Sequence, residues 1–160
     1  NAGVSNNSED VWGGSLPYLT SVNGEGDKQS TYYGYETRLS LKYVADRIED
    51  YHNIDPYDYS DDPADWFGDY DCGAGKYVST IEVCGRNLKG RSVREGLLQS
   101  KIRSAAFEVE YDNSREEFVF TTYGYGHGVG MSQLGANYYA GQGWDYIEIL
   151  EHYYSGTQVR

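Results

Sequence analysis

The chain has 160 residues, a formal net charge of −12 at pH 7, and 18 tyrosines within an aromatic fraction of 16%. This length favours one domain, and the tyrosine rings supply apolar area for a core although the mean hydropathy is −0.71. The acidic balance argues against a nucleic-acid partner, because such proteins present a basic surface to phosphates. No apolar run approaches the roughly 20 residues that span a bilayer.

The first part of the chain, residues 1–31, is rich in Asn, Ser and Gly. We predict one short strand there, from Leu16 to Val22, which ends at the turn-forming pair Asn23-Gly24. Trp12 is expected to anchor this region in the core.

A helix is predicted over residues 39–51, because apolar residues recur there at the helical spacing i, i+3, i+4 and i+7. Ser40 is suited to act as its N-cap. The apolar stripe comprises Leu41, Val44, Ala45 and Ile48.

Residues 53–76 are acidic and contain Pro56 and Pro63. Clustered carboxylates are compatible with calcium, but their spacing lacks the EF-hand pattern, so a solvated insertion held by aromatic residues is favoured. Cys72 and Cys84 lie outside any CxxC pair, which makes zinc a weak interpretation. A disulfide between them and a pair of free buried thiols remain alternatives.

The middle of the chain favours strands. Alternating residues predict a half-buried strand over 77–84 and a hairpin over 102–122. Between them, Ser92 and Glu95 have the spacing of a capping box that opens a short helix.

Helical periodicity returns after Met131, and Asp145 with Glu148 form a second capping box. The stripe behind that box comprises Tyr146, Ile149, Leu150 and Tyr153. We therefore predict an α+β domain with a mainly antiparallel sheet and short packing helices, and we treat residues 1–160 as part of one domain.

Glycine occupies every second position from 124 to 130, around a single titratable residue, His127. Glycine weakens strands, so such a run indicates positive φ angles or close approach of a ligand or another backbone. Ser132 and Gln133 follow at a predicted helix start, where free amides can bind an anion.

The spacing of these residues excludes three common interpretations. It matches neither the phosphate-binding loop, nor the dinucleotide loop, nor the nucleophile elbow around a serine. Two interpretations remain open, namely a glycine-walled groove for a long polymer and a tight sheet edge with a satisfied core histidine.

Three ordered motifs resemble the signatures of one protein family, the SpoIID/LytB family. The run from Gly124 to Gln133 closely resembles its central signature, and the tail from Tyr146 to Thr157 resembles a second element. Near the start, Asn7 to Gly13 is similar to a third. The middle of the chain also agrees, with Gly90-Arg91 followed by Arg94.

This resemblance implies cleavage of peptidoglycan glycan strands, particularly strands without stem peptides, by lytic transglycosylation. An acid protonates the glycosidic oxygen, and the muramoyl C6 hydroxyl attacks its own anomeric carbon to give a 1,6-anhydro end. Water is not the nucleophile, so one carboxyl group suffices where hydrolases need two. That acid must stay protonated near neutral pH, which calls for burial in a partly apolar cleft.

In the family, the catalytic glutamate lies in an N-terminal segment that nothing in this chain matches. We therefore expect an incomplete domain: residues 1–160 as its C-terminal portion, supplying the glycan groove and inactive alone. The expected setting is exported or in the bacterial cell envelope, without metal or cofactor. Expected partners are glycan strands, the missing N-terminal segment, or a cell-wall amidase.

Two other functions remain open. One is a non-catalytic glycan-binding module that recruits or stimulates an amidase. The other is a calcium-dependent adhesin that uses the acidic residues 55–71.

The resemblance also suggests roles for individual residues. His127 and the backbone of Gly126, Gly128 and Gly130 are expected to line the groove, with Tyr125 as a stacking face. Ser132 and Gln133 are expected to bind sugar hydroxyl or acetamido groups.

Two charged residues keep alternative roles. Arg94 is expected either to pair with the lactyl carboxylate of muramic acid or to form a structural ion pair. Glu9 is expected to orient a partner or cap a turn, and its use as an acid is a weaker alternative.

Overall fold

Two three-stranded antiparallel sheets form the frame of the molecule in the computed structural model, which describes residues 1–160. The first sheet has the order β1-β6-β5 and the second has the order β2-β3-β4. Their strands are β1 Tyr33–Ser40, β2 Phe67–Cys72, β3 Val78–Val83, β4 Arg86–Leu88, β5 Phe107–Asp112 and β6 Glu117–Tyr123.

Short helices connect and cover these sheets. They are α1 Ser8–Trp12, α2 Leu41–His52, α3 Pro56–Tyr59, α4 Gly90–Ser92, α5 Gln133–Gly141 and α6 Tyr146–Tyr153. Two 3-10 turns, Glu25–Gln29 and Pro63–Asp65, and a π-helical turn, Val93–Leu97, complete the set. The α+β class and the antiparallel sheets are confirmed. No helix of the structure is both long enough and apolar enough to cross a bilayer.

The main core lies between the two sheets, α2 and the π-helical turn. Its largest members are fully buried aromatic rings, with Trp66 stacked on Phe118 at a centroid distance of 5.8 Å. Val44 and Ile48 enter it from α2, as the helical stripe predicted. The Ser40 side chain caps α2 by accepting a hydrogen bond from the Tyr43 N–H.

The predicted hairpin is confirmed as β5 and β6, which pair from Phe107–Thr122 to Asp112–Glu117. Strand β6 also pairs on its other edge with β1, which is distant in the sequence. This pairing runs from Tyr33–Tyr123 to Ser40–Glu117. This pairing places the end of β6, and therefore the glycine run that follows it, beside residues just before β1.

Three local predictions near the chain start and middle were wrong. Residues 16–22 form no strand, and only Asn23 makes an isolated bridge, to Val4. Trp12 is 51% exposed instead of buried. The chain is already helical at Ser92, because the helix begins at Gly90, so the first capping box does not form.

The second capping box does form: Asp145 accepts from the Glu148 N–H, and the Glu148 carboxylate accepts from the Asp145 N–H. Ile149 and Tyr153 are buried as predicted, in a small separate cluster with Tyr139. Tyr146, which the stripe placed inside, is 67% exposed.

The two cysteines are free, Cys72 exposed and Cys84 buried. Cys72 pairs with Val78 at one end of β3, whereas Cys84 follows the other end of that strand. The strand length separates them by about 15–20 Å, and a disulfide needs Cα atoms within about 7 Å. The disulfide alternative is therefore excluded for this fold.

The acidic insertion uses two carboxylates as helix caps. Asp55 accepts from the Tyr57 N–H at the start of α3, and Asp62 accepts from the Ala64 N–H. Trp66 anchors the segment, since its ring is buried and its indole N–H donates to the Ser60 carbonyl at 3.0 Å.

Candidate functional site

The glycine run after β6 adopts a backbone that residues with a side chain rarely adopt. Gly124, Gly126, Gly128 and Gly130 have φ angles of +80°, +85°, +79° and +81°. Left-handed backbone costs other residues roughly 1–2 kcal/mol each. Glycine at every second position is therefore explained by conformation.

Backbone hydrogen bonds hold this run in place from three directions. The Gly124 N–H donates to the Tyr32 carbonyl, and the Gly126 N–H donates to the Arg103 carbonyl, both at 2.8 Å. The Gly128 carbonyl accepts from the Asn6 N–H at 2.9 Å. The opening motif, residues 7–13, is thereby brought next to the glycine signature.

The four glycines fall into two pairs. A β-carbon on Gly124 would overlap the backbone of Asn1, and one on Gly128 would overlap the ring of Tyr77. At Gly126 a β-carbon would meet nothing within 4 Å, and at Gly130 nothing closer than 3.8 Å. The first pair is needed for packing, whereas the second leaves main chain uncovered.

An open groove of about 560 Å³ runs along this segment, and we call it the glycine groove. Its wall carries exposed rings, since Tyr125 is 61% exposed and lies 5.5 Å from Tyr32 between ring centroids. Its lining comprises Asn1, Ser30, Tyr32, residues 124–129 and residues 131–134.

His127 lies at the edge of this groove and is exposed, so the alternative of a sealed core histidine is wrong. Its Nδ1 accepts a hydrogen bond from the Val129 N–H at 3.0 Å. In the neutral ring the proton then sits on Nε2, which has no protein partner. Trp12 packs against the imidazole with centroids 5.3 Å apart.

The electrostatic setting keeps His127 neutral. Partial burial lowers the pKa of His127 below its usual 6.5, the positive charges of Arg91 and Arg94 lower it further, and Glu95 opposes them. At neutral pH the side chain therefore carries an uncharged Nε2–H donor that has no protein partner.

A second, narrower opening is also lined by His127, and we call it the arginine crevice. Its internal volume is about 10 Å³, room for one water. Its charged members are Asp10, Arg91, Arg94 and Glu95.

Comparisons with known proteins agree with the sequence motifs. The stage II sporulation protein D of Bacillus amyloliquefaciens is 35% identical over 158 residues, which is 98% of this chain and 42% of the relative. That of Bacillus subtilis (strain 168) is 34% identical over 157 residues, with the same shares. The amidase enhancer of Bacillus subtilis (strain 168) is 38% identical over 71 residues, 42% of this chain and 10% of that protein.

The chain belongs to the SpoIID/LytB family. No protein-family model matches it. The chain spans about two fifths of the length of the two sporulation proteins.

In this SpoIID/LytB chain, most of the sequence-predicted site residues gather around the glycine groove. Tyr125, Gly126, His127, Gly128 and Gln133 all line it. Gly130 is not part of the lining, and a β-carbon added to it would lie 3.8–3.9 Å from Leu19 and Tyr154.

Ser132 has a structural role that conflicts with its predicted contact to sugar. Its hydroxyl is buried, donates to the Asp27 carboxylate, and accepts from the Gly135 N–H at 3.1 Å. Ser132 is therefore the N-cap of α5. Asp27 itself is fully buried beneath the groove, and no sequence pattern indicated it.

Arg94 and Glu9 lie away from the groove of the SpoIID/LytB chain. The Arg94 side chain is 14% exposed and forms an ion pair with Glu95 at 3.1 Å, so the structural ion pair is present. Glu9 is exposed on α1 and lines neither opening. Its neighbour Asp10 lines the crevice and accepts from the Asn7 side chain at 2.9 Å.

Sequence reasoning missed three further residues at the site, Trp12, Tyr32 and Arg91. Trp12 was taken as a core residue because tryptophan is usually well buried. Tyr32 has no local pattern and reaches the groove only through the long-range β1–β6 pairing. Arg91 lies within the Gly90-Arg91 step that resembles the family, and this resemblance could have indicated it as a site residue.

Proposed function

We propose that this chain provides the glycan-binding groove of a bacterial cell-wall protein in the SpoIID/LytB family. A peptidoglycan strand lies along the glycine groove, where the uncovered main chain of Gly126 permits close approach. The Tyr125 ring stacks on a sugar face, and Gln133 meets polar sugar substituents. The observation that carries this proposal is the exposed imidazole of His127 at the edge of that groove.

His127 serves as a hydrogen-bond donor to the strand. Its neutral Nε2–H points to no protein acceptor, and sugar hydroxyl or acetamido oxygens are suitable acceptors. Its lowered pKa makes it a poor proton donor at neutral pH, so it orients the sugar and does not act as the acid.

The reaction proposed for the protein is lytic transglycosylation with a 1,6-anhydromuramoyl product. The groove lining contains no Asp or Glu side chain. We assign the acid to a segment outside these 160 residues, consistent with relatives more than twice as long. The protein accordingly acts at the cell envelope.

The test measures release of anhydro-disaccharides from peptide-free glycan by the protein at its full natural length. We expect His127→Ala to lower the rate about 3- to 10-fold, the equivalent of one lost hydrogen bond between neutral groups in an open groove. Tyr146→Ala, on the exposed face of α6, is the control and should keep the wild-type rate. An unchanged rate in His127→Ala would remove this residue from the site.

A second candidate is a non-catalytic glycan-binding module that stimulates a cell-wall amidase. Similarity to a protein named amidase enhancer, and a groove without a carboxylate, favour it. It predicts that the protein raises an amidase rate on whole cell walls while no anhydro ends appear, and that His127→Ala abolishes this stimulation.

A further inference from the structure

The guanidinium group of Arg103 lies on aromatic rings and uses none of its hydrogen-bond donors within the protein. Its central carbon lies 3.9 Å from the ring centroid of Tyr35 and 5.0 Å from that of Tyr32. The group forms no ion pair, and its nitrogens are not among the buried polar atoms that lack a partner. The N–H donors of Arg103 are therefore accessible to a ligand.

Three side chains, those of Tyr32, Tyr35 and Arg103, continue the wall of the glycine groove, and we call them the tyrosine–arginine platform. Tyr32 belongs to both surfaces, because it lines the groove and its ring centroid lies 5.5 Å from that of Tyr125. Both platform rings are accessible, with exposed fractions of 39% for Tyr32 and 38% for Tyr35. A ligand that leaves the groove past Tyr125 and Tyr32 therefore meets Arg103 and Tyr35 next.

The backbone holds the platform in place from two sides. The Arg103 carbonyl accepts from the Gly126 N–H at 2.8 Å and from Nε of Arg94 at 3.2 Å, which ties it to the glycine run. Tyr35 follows Gly34, whose φ of +74° lies at the irregularity in the β1–β6 register. Such a bulge redirects the neighbouring side chains. The platform is thus ordered before a ligand arrives, which lowers the entropy cost of binding.

The chemistry of the platform suits a neutral, N-acetylated sugar. Tyrosine rings offer flat apolar faces to the C–H face of a pyranose. Guanidinium N–H groups donate to hydroxyl and acetamido oxygens, and arginine and tyrosine are the residue types that dominate recognition surfaces. The net charge of −12 disfavours a polyanion as the ligand.

We propose that Tyr35 and Arg103 form a distal sugar subsite, which binds a sugar of the same glycan strand after that strand leaves the glycine groove past Tyr32. The inference rests on the proposed function, because it needs a glycan strand in the groove. It makes affinity depend on strand length: a short oligosaccharide fills the groove alone, whereas a longer one also reaches Arg103 and Tyr35.

The test measures how affinity depends on strand length, with the protein at its full natural length. The probes are chitooligosaccharides of two to six sugars, which are neutral and carry an acetamido group on every sugar. They contain no muramic acid, so the proposed reaction does not consume them during calorimetric titration. We expect affinity to rise by about tenfold once the oligosaccharide reaches Tyr35 and Arg103, from one stacking face and one hydrogen bond.

Arg103→Gln and Tyr35→Ala should each remove most of this rise, with the affinity of the shortest oligosaccharide as the internal reference. Tyr35→Phe should keep the rise, because the ring and not its hydroxyl provides the stacking face. Arg115→Gln is the matched control for charge, at an arginine in the β5–β6 turn whose side chain is 65% exposed, and it should also keep the rise. Thermal unfolding of each variant checks that it is folded, and Arg103→Gln retains the main-chain carbonyl that Gly126 uses.

The outcomes separate the two claims. If the wild type binds the oligosaccharides with the same affinity at every length, the distal subsite is overturned and the glycan groove stands. If the wild type binds none of them, the proposed function falls and the subsite falls with it. A rise with length that persists in folded Arg103→Gln and Tyr35→Ala overturns the assignment to these residues.

Discussion

The main core and the glycine groove are built by opposite means. The core joins two sheets through large apolar side chains, among them Trp66, Phe118 and Phe120, which are fully buried. The groove is built from glycine backbone, inter-segment hydrogen bonds and exposed rings. Apolar packing supports the stability of this chain, whereas main chain and exposed rings form its groove. Stability and recognition are therefore largely separable, and a substitution in one region should leave the other largely unchanged.

The largest expected effect is on the core side of this comparison. Phe118→Ala removes a fully buried ring that contacts Trp66, Phe67 and Tyr111. The free energy of unfolding should fall by about 3–5 kcal/mol, as measured by urea denaturation. Glycan affinity per folded molecule should not change, and a large loss of affinity in the folded fraction would break the separation.

The two pairs of glycines sharpen the comparison within the groove. Gly128→Ala adds a β-carbon that overlaps Tyr77 in addition to imposing a φ of +79°, whereas Gly126→Ala imposes only a strained φ of +85°. We expect Gly126→Ala to cost about 1–2 kcal/mol of unfolding free energy and Gly128→Ala distinctly more. Equal costs in urea denaturation would mean that the Tyr77 contact does not constrain the backbone.

A smaller effect is expected at the groove wall. Tyr125→Ala should weaken glycan binding about two- to tenfold by removing a stacking face, with unchanged unfolding free energy. Tyr146→Ala is its matched control, because both rings are more than 60% exposed, at 61% and 67%. Equal glycan affinities for the two variants in a calorimetric titration would remove Tyr125 from the site.

The smallest effect is a pH dependence centred on His127. The pKa of His127 is lowered in the folded state, so the folded protein binds this proton more weakly than the unfolded chain does. The stability that comes from the neutral ring is therefore complete above about pH 6.5 and is lost as the pH falls below that value. Protonation also turns Nδ1 from an acceptor for the Val129 N–H into a donor. The charged groups that share the arginine crevice with the ring are Asp10, Arg91, Arg94 and Glu95.

Glycan affinity of the wild type should therefore decline below pH 6.5, and His127→Gln should flatten this profile. His52 has a pKa lowered by burial and Arg86 and remains in the variant, so the pH dependence of unfolding should persist in part. A wild-type affinity that stays constant through this range would show that glycan binding does not need the hydrogen bond from the Val129 N–H to Nδ1 of His127.

Local sequence patterns predicted the elements that local physics decides. Helix α2 follows from its apolar spacing and Ser40, the β5–β6 hairpin from alternation around a turn, and the start of α6 from its capping box. The glycine run and His127 were found because four alternating glycines are unfavourable without a conformational or binding reason.

The rest depends on contacts between distant segments. The β1–β6 pairing brings Tyr32 to the groove, and Asp27 reaches Ser132 across more than a hundred residues, so neither leaves a local signature. Ser132 was expected to bind sugar because a helix start exposes amides. Its hydroxyl instead caps α5 by accepting from the Gly135 N–H and donates to the Asp27 carboxylate. Residue type alone did not predict the position of Trp12, which lies beside His127 and not in the core.

The most direct test of the account is nitrogen NMR of the three histidines, His52, His127 and His152, during titration with peptide-free glycan oligosaccharide. Before titration, the His127 ring should show the neutral form protonated on Nε2. At saturation its Nε2 resonance should shift as the N–H donates to a sugar oxygen, while the buried His52 ring stays unchanged. Saturable glycan binding with no change at His127 would contradict the claim that the strand lies along the glycine groove.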